Sequence, residues 1–270
     1  MSFQFRQAQE FDSLERVRML GSAMRKTGRP VVLVPLHDDL HTGHISLIRA
    51  ATLLPRAVVV IAWTGTEVPK MLADEGVDVV WRVRDEDLWP KGRPATTVQA
   101  QEGLEPAAEI NRELTRLVAL LGALKPSDVV VGEKDFELTV ALTRAIADLH
   151  LGVELHGVPT VRMPDGLAIS LRNAAVAEAD REKAMVLSAA LTAGAHAAEE
   201  GKDVVLDTAS GILASAGIEP EYLQLRGLDM GAPPTEGDAR LLVAATIGGV
   251  RLIDNVGVPI GIGFKNLEDN

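Results

Sequence analysis

Short apolar runs alternate with amphipathic segments along the first part of the chain. Residues 31–34 and 57–63 are wholly apolar and rich in β-branched side chains, which is typical of strands buried on both faces of a parallel sheet. This alternation predicts an α/β protein with a Rossmann-like, doubly wound parallel sheet. The predicted strands cover residues 31–34, 57–63, 77–83, 128–131 and 153–161, and the predicted helices cover residues 8–27, 45–53, 67–75, 105–122 and 136–149.

The pattern changes in the last part of the chain, where strands no longer alternate with crossover helices. Gly248-Gly249 joins two strand-like runs and is typical of a hairpin turn. We therefore expect a Rossmann-like nucleotide-binding domain at residues 1–174 and a smaller C-terminal α+β domain at residues 175–270. The predicted elements of this second domain are helices at 178–200 and 202–216 and strands at 240–247 and 250–256.

The junction between the first buried strand and the next helix carries His41-Thr42-Gly43-His44. In an open parallel sheet, ligands bind at the carboxyl ends of strands, where the following helix presents unpaired N–H groups and a positive dipole end. His41 and His44 should lie on one side of the first helical turn, and Gly43 lets a flat group approach the backbone. This geometry suits a triphosphate. The alternative is that one histidine caps the helix and the other fills space.

Two later segments place polar residues where elements end. Lys134, after the strand at 128–131, can reach phosphate oxygens, and Asp135 can accept from ribose hydroxyls, although a surface turn favours the same residue types. Ser170 and Arg172 add a hydroxyl and a cationic fork suited to a triphosphate or a leaving pyrophosphate. A polar interdomain linker is the alternative for this last pair.

The composition narrows the class of protein. The chain has no cysteine, which excludes a disulfide framework and a thiolate site and fits a reducing compartment. The first residues lack an apolar signal core, and no segment reaches roughly 18 uninterrupted apolar residues, so we expect a cytoplasmic protein with no membrane partner. The formal net charge of −11 disfavours a nucleic-acid partner. A bound polyanion would need local cations and a magnesium ion.

Taken in order, these motifs resemble the pantothenate synthetase (pantoate–beta-alanine ligase) family of HxGH adenylyl-transferring enzymes. The family pattern is Pro-Thr-Met-Gly-x-Leu-His-x-Gly-His, then Gly-Glu-Lys-Asp, Val-Pro-Thr-x-Arg and Met-Ser-Ser-Arg-Asn. The resemblance extends nearly end to end and includes Asp254-Asn255 in the second domain. The matching residues are Pro35 with residues 40–44, then residues 132–135, 158–162 and 169–173.

The resemblance implies an ATP-dependent ligase that joins pantoate to β-alanine in two steps. The pantoate carboxylate would attack the α-phosphate, giving an acyl adenylate and pyrophosphate, and the amine of β-alanine would then displace AMP. ATP and Mg²⁺ are the implied cofactors, a small carboxylic acid and an amine are the implied substrates, and a homodimer is the implied assembly. Catalysis of this kind rests on positioning and on neutralising charge at phosphate oxygens.

The resemblance also assigns roles by position. His44 is the expected proton donor to phosphate, His41 lies beside it, and Lys134 is expected to bridge phosphates. Gly132 and Asp135 are expected at the ribose, the Val161 backbone at adenine, and Ser170 and Arg172 at the triphosphate. The full set expected to bind the nucleotide is His37, Gly43, Gly132, Glu133, Asp135, Val161, Ile169, Ser170, Leu171 and Arg172.

The departures from the family pattern concern the acid substrate. An Asn-Pro-x-Gln-Phe segment should follow the second strand, but Trp63 leads almost directly into a helix, and the second pantoate glutamine falls at Leu138. The His-Phe-x-Gly-Val segment is absent near residues 104–112. Two alternatives therefore stay open: an adenylate-forming relative acting on another small carboxylic acid, and a catalytically inert nucleotide-binding paralogue.

Two carboxylates also enter the first motif, where Leu36-His37-Asp38 replaces Thr-Met-Gly and Asp39 follows. Near a helix N-terminus they would compete with phosphate for the dipole. Other possibilities are that they hold magnesium, face a cationic amine, or point to solvent and cap the helix.

Overall fold

The computed structural model describes residues 3–38 and 40–262. The chain forms two compact units. The first contains the residues up to Glu133 together with Glu137–Pro159, and the second contains Lys134–Phe136 together with the residues from Thr160 onward.

This division differs from the predicted boundary at residue 174. Arg162 lies before that boundary, yet its guanidinium forms an ion pair with Asp254 in the last strand, at 2.6 Å between Nη1 and Oδ2. The segment that begins at Thr160 is therefore tied to the second unit. Lys134, predicted in the nucleotide-binding domain, also belongs to the second unit.

The first unit is built on a six-stranded sheet. Its strands are β1 (Gln9–Phe11), β2 (Val31–Leu36), β3 (Val58–Trp63), β4 (Val79–Arg82), β5 (Asp128–Gly132) and β6 (Glu154–Val158). Its helices are α1 (Leu14–Lys26), α2 (Thr42–Thr52), α3 (Met71–Asp74), α4 (Asp85–Leu88), α5 (Ala107–Leu124) and α6 (Phe136–Asp148). The strand order is β1-β4-β3-β2-β5-β6, with every neighbouring pair parallel. The predicted parallel sheet is confirmed.

The predicted helix over residues 8–27 is wrong at its start. Residues 9–11 form β1, an edge strand that pairs with β4, with Gln9 opposite Val79. Helix α1 begins only after Ser13, whose hydroxyl accepts a hydrogen bond from the Arg16 amide. A three-residue edge strand with polar side chains lacks the apolar alternation that marks a strand in sequence, so the pattern could not separate it from the helix.

Both faces of this sheet are covered, which makes the fold doubly wound. Helices α1, α5 and α6 bury apolar side chains on one face. Helices α2 and α3 bury theirs on the other, around Ile48 and Leu72. The central strand β3 is buried along its whole length, which explains its uninterrupted apolar sequence. Within the described ranges, no helix is long and apolar enough to cross a membrane.

The second unit combines short helices with a three-stranded antiparallel sheet. The elements are α7 (Leu171–Ala174), α8 (Arg181–His196), α9 (Lys202–Ser215), β7 (Tyr222–Gly227), β8 (Gly237–Ile247) and β9 (Val250–Ile260). The strand order is β7-β8-β9, and helices α8 and α9 pack on the sheet around Leu191 and Leu213. Gly248 and Gly249 join β8 to β9 with φ values of 57° and 79°, as a two-residue hairpin of the primed type requires, so the predicted hairpin is confirmed.

Candidate active site

The turn between β2 and α2 brings the HxGH motif to the carboxyl edge of the sheet. Strand β2 is an inner strand, paired with β3 on one side and β5 on the other. The chain leaves it at His37 and enters α2 at Thr42, with His41 as the N-cap residue in an extended conformation. The His44 amide donates to the His41 carbonyl at 2.8 Å, which closes the first helical turn.

The side chains of His41 and His44 stack on one another. Their ring centroids are 3.7 Å apart and the ring planes differ by 20°. The spacing in the sequence predicts that the two imidazoles lie on one side of the helix, and the structure has that arrangement. Two imidazoles in one stack can present nitrogen donors to a single anion.

The first turn of α2 carries no acidic side chain. His41 makes no side-chain capping bond, and the first turn has no acidic residue, so no side chain of the helix neutralises its positive dipole end. Asp38, just upstream, is exposed. Asp39, the second carboxylate of the predicted Asp38–Asp39 pair, lies outside the described residues. The helix itself provides what an anionic group requires.

Helix α5 contributes two contacting polar side chains that the sequence did not predict near the site. Glu113 Oε1 lies 3.7 Å from His37 Nε2 and 3.6 Å from Arg116 Nη1. His37, expected to bind nucleotide, thus contacts a carboxylate of α5. The predicted helix over 105–122 gives no sign that Arg116 is buried, yet this residue is only 9% exposed.

The predicted helix over residues 67–75 is wrong at its start, because residues 64–70 are not helical and α3 begins only at Met71. The Trp63 indole Nε1 donates to the Glu67 carbonyl at 2.9 Å, and a Cβ added at Gly65 would lie 2.7 Å from the same indole nitrogen. Leu138, at the other expected glutamine position, packs against the apolar core of the first unit. Neither position supplies an amide side chain.

The Gly-Glu-Lys-Asp motif begins where β5 ends. Gly132 is the last strand residue, and a Cβ there would only reach van der Waals distance of Leu47, 3.8 Å away. Glu133 lies against the backbone of β6, because a Cβ on Gly157 would be 2.8 Å from its Oε1. Glu133 is therefore packed on β6, although it was expected among the nucleotide-binding residues.

In the second unit, Lys134 is held by the hairpin. The Asn255 amide Nδ2 donates to the Lys134 carbonyl at 2.8 Å, and the Arg240 Nε donates to Asn255 Oδ1 at 2.6 Å. The Arg240 guanidinium also lies 4.5 Å from the centroid of the Phe136 ring. These contacts fix the backbone on both sides of Asp135, whose own side chain is exposed.

Arg162 makes several contacts that hold the segment around Val161, which was expected to contact adenine. It binds Asp254 through both terminal nitrogens, and it also donates to Ser188 Oγ at 2.9 Å and to the Asn255 carbonyl at 3.1 Å. Asp254 is 6% exposed, so this is a buried, bidentate ion pair. It anchors the backbone next to Val161.

The remaining residues expected to bind the nucleotide lie between residue 161 and helix α7. The Ile169 amide donates to the Val161 carbonyl at 2.9 Å, so these two backbone segments run side by side. Ser170 caps α7, its Oγ accepting from the Asn173 amide at 3.1 Å. Leu171 and Arg172 are exposed on that short helix. Arg172 is therefore available to an anion on the surface of the second unit.

One cluster in the described part of the chain has the donor types and spacing of a metal site. Ligand atoms of Asp128, Glu154 and His156 lie within 4.8 Å of one another. Asp128 and Glu154 begin β5 and β6, so the cluster is at the amino edge of the sheet, opposite the turn that carries His41. It is not placed to serve a triphosphate at α2.

Comparison with known proteins places these features in a family. The family model described as Pantoate-beta-alanine ligase matches residues 67–257. A pantothenate synthetase of Corynebacterium jeikeium (strain K411) is 42% identical over 294 residues, covering 100% of this chain and 96% of the relative. A pantothenate synthetase of Mycolicibacterium smegmatis is 38% identical over 88% of this chain and 84% of the relative.

Solved structures show the same fold. Pantothenate synthetase from Thermus thermophilus matches with a TM-score of 0.79 at 27% identity, covering 92% of this chain and 98% of that one. The pantoate-beta-alanine ligase of Francisella tularensis, complexed with β-γ ATP and β-alanine, matches with a TM-score of 0.70 at 22% identity over 92% and 97% of the two chains.

Fold and motifs together define an α/β protein of the HxGH adenylyl-transferring class. Within that class, the chain belongs to the pantoate–beta-alanine ligase family. The family resemblance and the fold class predicted from the sequence are confirmed. The roles expected of individual site residues stay predictions.

Proposed function

We propose that this chain is an ATP-dependent ligase that condenses pantoate with β-alanine through a pantoyl adenylate. The observation that carries the proposal is the stacked His41–His44 pair at the N-terminus of α2, in a chain that a pantothenate synthetase of Corynebacterium jeikeium matches along its whole length. The related Francisella tularensis protein was solved with β-γ ATP and β-alanine. The substrates are therefore ATP, a small hydroxy acid and a small amine.

In the first step, a pantoate carboxylate oxygen attacks the α-phosphorus of ATP. A new oxygen–phosphorus bond forms, the bond from that phosphorus to the β-bridging oxygen breaks, and pyrophosphate leaves. His44 and His41 donate hydrogen bonds to phosphate oxygens, and the dipole of α2 adds a fixed positive field. Lys134 bridges phosphate oxygens, since its ammonium is a compact charge on a long stem.

In the second step, the β-alanine amine attacks the carbonyl carbon of the pantoyl adenylate. A carbon–nitrogen bond forms, the carbon–oxygen bond to AMP breaks, and the amine loses a proton. The mixed anhydride is already activated, so the protein's task is to hold the amine in line and exclude water. In both steps Asp135 and Gly132 hold the ribose and the Val161 backbone meets adenine, whereas Ser170 and Arg172 bind the triphosphate in the first step only.

Magnesium enters this proposal as part of the substrate, MgATP. Mg²⁺ keeps several waters and usually binds one or two carboxylates plus substrate phosphates. The cluster with metal-ligand spacing in the described ranges lies at the opposite edge of the sheet, at Asp128. In this proposal the ion would enter the site with ATP, bound to its phosphate oxygens.

The proposal extends to location and assembly. A chain without cysteine fits a reducing cytoplasm, and family resemblance favours a homodimer. Light scattering of the purified chain gives the mass, which should be twice 28.8 kDa.

Pyrophosphate release from MgATP tests the proposed function. Pantoate alone should support a burst of release, and β-alanine should convert it to steady turnover with AMP and pantothenate as products. The same assay should be run with a panel of other small carboxylic acids. Turnover with another acid and none with pantoate would replace the proposal by a relative of different specificity. ATP binding without turnover by any acid would indicate an inert paralogue.

A further inference from the structure

Arg116 is a buried cation in the first unit with unused hydrogen-bonding capacity. The residue is 9% exposed, and its Nη1 contacts Glu113 Oε1 at 3.6 Å. Its Nη2 is buried and has no hydrogen-bond partner among the residues the structure describes. Buried guanidinium donors are nearly always paired, so a donor of this kind points to a ligand.

Glu113 links this guanidinium to the edge of the sheet that carries the HxGH turn. Helix α5 leads into β5, so the helix begins near the carboxyl ends of the strands, and Arg116 lies close to its middle. Glu113 gives direct evidence, since it reaches His37, the first residue after β2. The exposed fraction of the side chain rises from 11% at Arg116 to 24% at Glu113 and 57% at His37.

The acid substrate needs donors on this edge. Pantoate presents a carboxylate and hydroxyl groups, and a site that leaves them unpaired discriminates poorly. The amides expected after β3 and on α6 are absent, because residues 64–70 contain no Asn or Gln and the second position is Leu138. A planar guanidinium can supply two parallel donors to such oxygens.

We propose that Arg116 binds an oxygen of the acid substrate and thereby replaces the missing amide donors as a specificity-determining residue. Glu113 contacts Nη1, and Nη2 is the donor that we assign to the acid. The substrate class is a small hydroxy acid, whose free carboxylate oxygen then attacks the α-phosphate. The inference rests on the proposed function, because it assigns a binding residue to the acid of that reaction.

Steady-state kinetics of Arg116→Gln test this assignment, with Arg112→Gln as the matched control. Arg112 is an exposed arginine one turn earlier on the same helix. Arg116→Gln should raise KM for pantoate roughly 10-fold to 100-fold and leave KM for MgATP within about twofold, since only acid contacts are lost. Arg116→Lys should recover part of the loss, and Arg112→Gln should behave as the unchanged chain. An unchanged KM for pantoate, or equal changes for both substrates, would overturn the assignment.

Direct binding separates failure of this inference from failure of the proposed function. Titration calorimetry of the full chain with pantoate and a panel of small hydroxy acids needs no turnover. If the unchanged chain releases no pyrophosphate with pantoate, the proposed function fails, yet tight binding of a panel acid that Arg116→Gln loses would sustain the role of Arg116. Binding that Arg116→Gln retains, or no binding of any panel acid, would reject it. Circular dichroism melting confirms that each variant is folded.

Discussion

The imidazole ring of His44 lies face to face with that of His41, with 3.7 Å between the ring centroids. One ring belongs to the cap residue of α2 and the other to its first turn, so the stack fixes both at the helix N-terminus. If this pair supplies donors to the reacting phosphate, removing one ring should affect chemistry much more than folding.

His44→Gln should lower the rate of adenylate formation by roughly 100-fold or more, because a positioned donor to developing phosphate charge is lost. The measurement is pyrophosphate release in a single turnover with MgATP and pantoate. His150→Asn is the control, since His150 is exposed and has a left-handed backbone that asparagine tolerates. Equal rates for His44→Gln and the control would remove His44 from the mechanism.

Lys134→Ala should raise KM for MgATP and also reduce the adenylation rate, since its ammonium is assigned to the phosphates in the ground state and binds them more strongly as charge develops in the transition state. Its backbone carbonyl still accepts from Asn255, so the fold should persist. Lys183→Ala, on an exposed position of α8, is the control in the same unit. Unaltered kinetics in Lys134→Ala would show that the side chain does not contact ATP.

Asp254→Ala should destabilise the chain by about 3 kcal/mol or more, because it leaves the Arg162 guanidinium without its buried partner. Urea unfolding of the full chain measures the change. Glu221→Ala breaks the more exposed pair with Arg251 and should cost less than about 1 kcal/mol. If the two substitutions were equally mild, the Arg162–Asp254 pair would not anchor the segment next to Val161.

Arg49→Gln should lower the melting temperature slightly at neutral pH, and the difference should vanish in acid. The hydrogen bonds from Arg49 hold the pKa of Glu75 below its ordinary value of 4.5. A lowered folded-state pKa gives stability that is present above the unfolded-state value and is lost as the pH falls through the folded-state value. Melting curves from neutral pH to below pH 4.5 test this. Arg84→Gln, which breaks a local pair within one helical turn, is the control.

Sequence pattern predicted the elements whose periodicity is strong. Strands β2 and β3 are continuous apolar runs buried on both faces, and the Gly248-Gly249 turn needs two positive φ angles that glycine adopts freely. Strand β1 escaped prediction because its three residues have no period to detect. The contact between Arg162 and Asp254 could not be predicted from the pattern, because the two residues are 92 positions apart in the chain.

In the candidate site, too, local features could be predicted from the sequence and contacts between distant residues could not. The stack of His41 on His44 follows from their spacing on a helix, which is a local property. The contacts of Glu113 with His37 and Arg116 depend on how α5 packs against the sheet, and a charged residue in an amphipathic pattern gives no sign of burial. Arg112 is exposed and Arg116 is buried on the same helix, and this difference is visible only in the fold.

The central claim is that this chain activates pantoate as an adenylate. Pantoate labelled with heavy oxygen in its carboxylate distinguishes this route from others, since the attacking oxygen stays on phosphorus when the amine displaces AMP. With MgATP and β-alanine, mass spectrometry should find one labelled oxygen in AMP and none in pyrophosphate. Unlabelled AMP, or label in inorganic phosphate with ADP as the co-product, would contradict the claim.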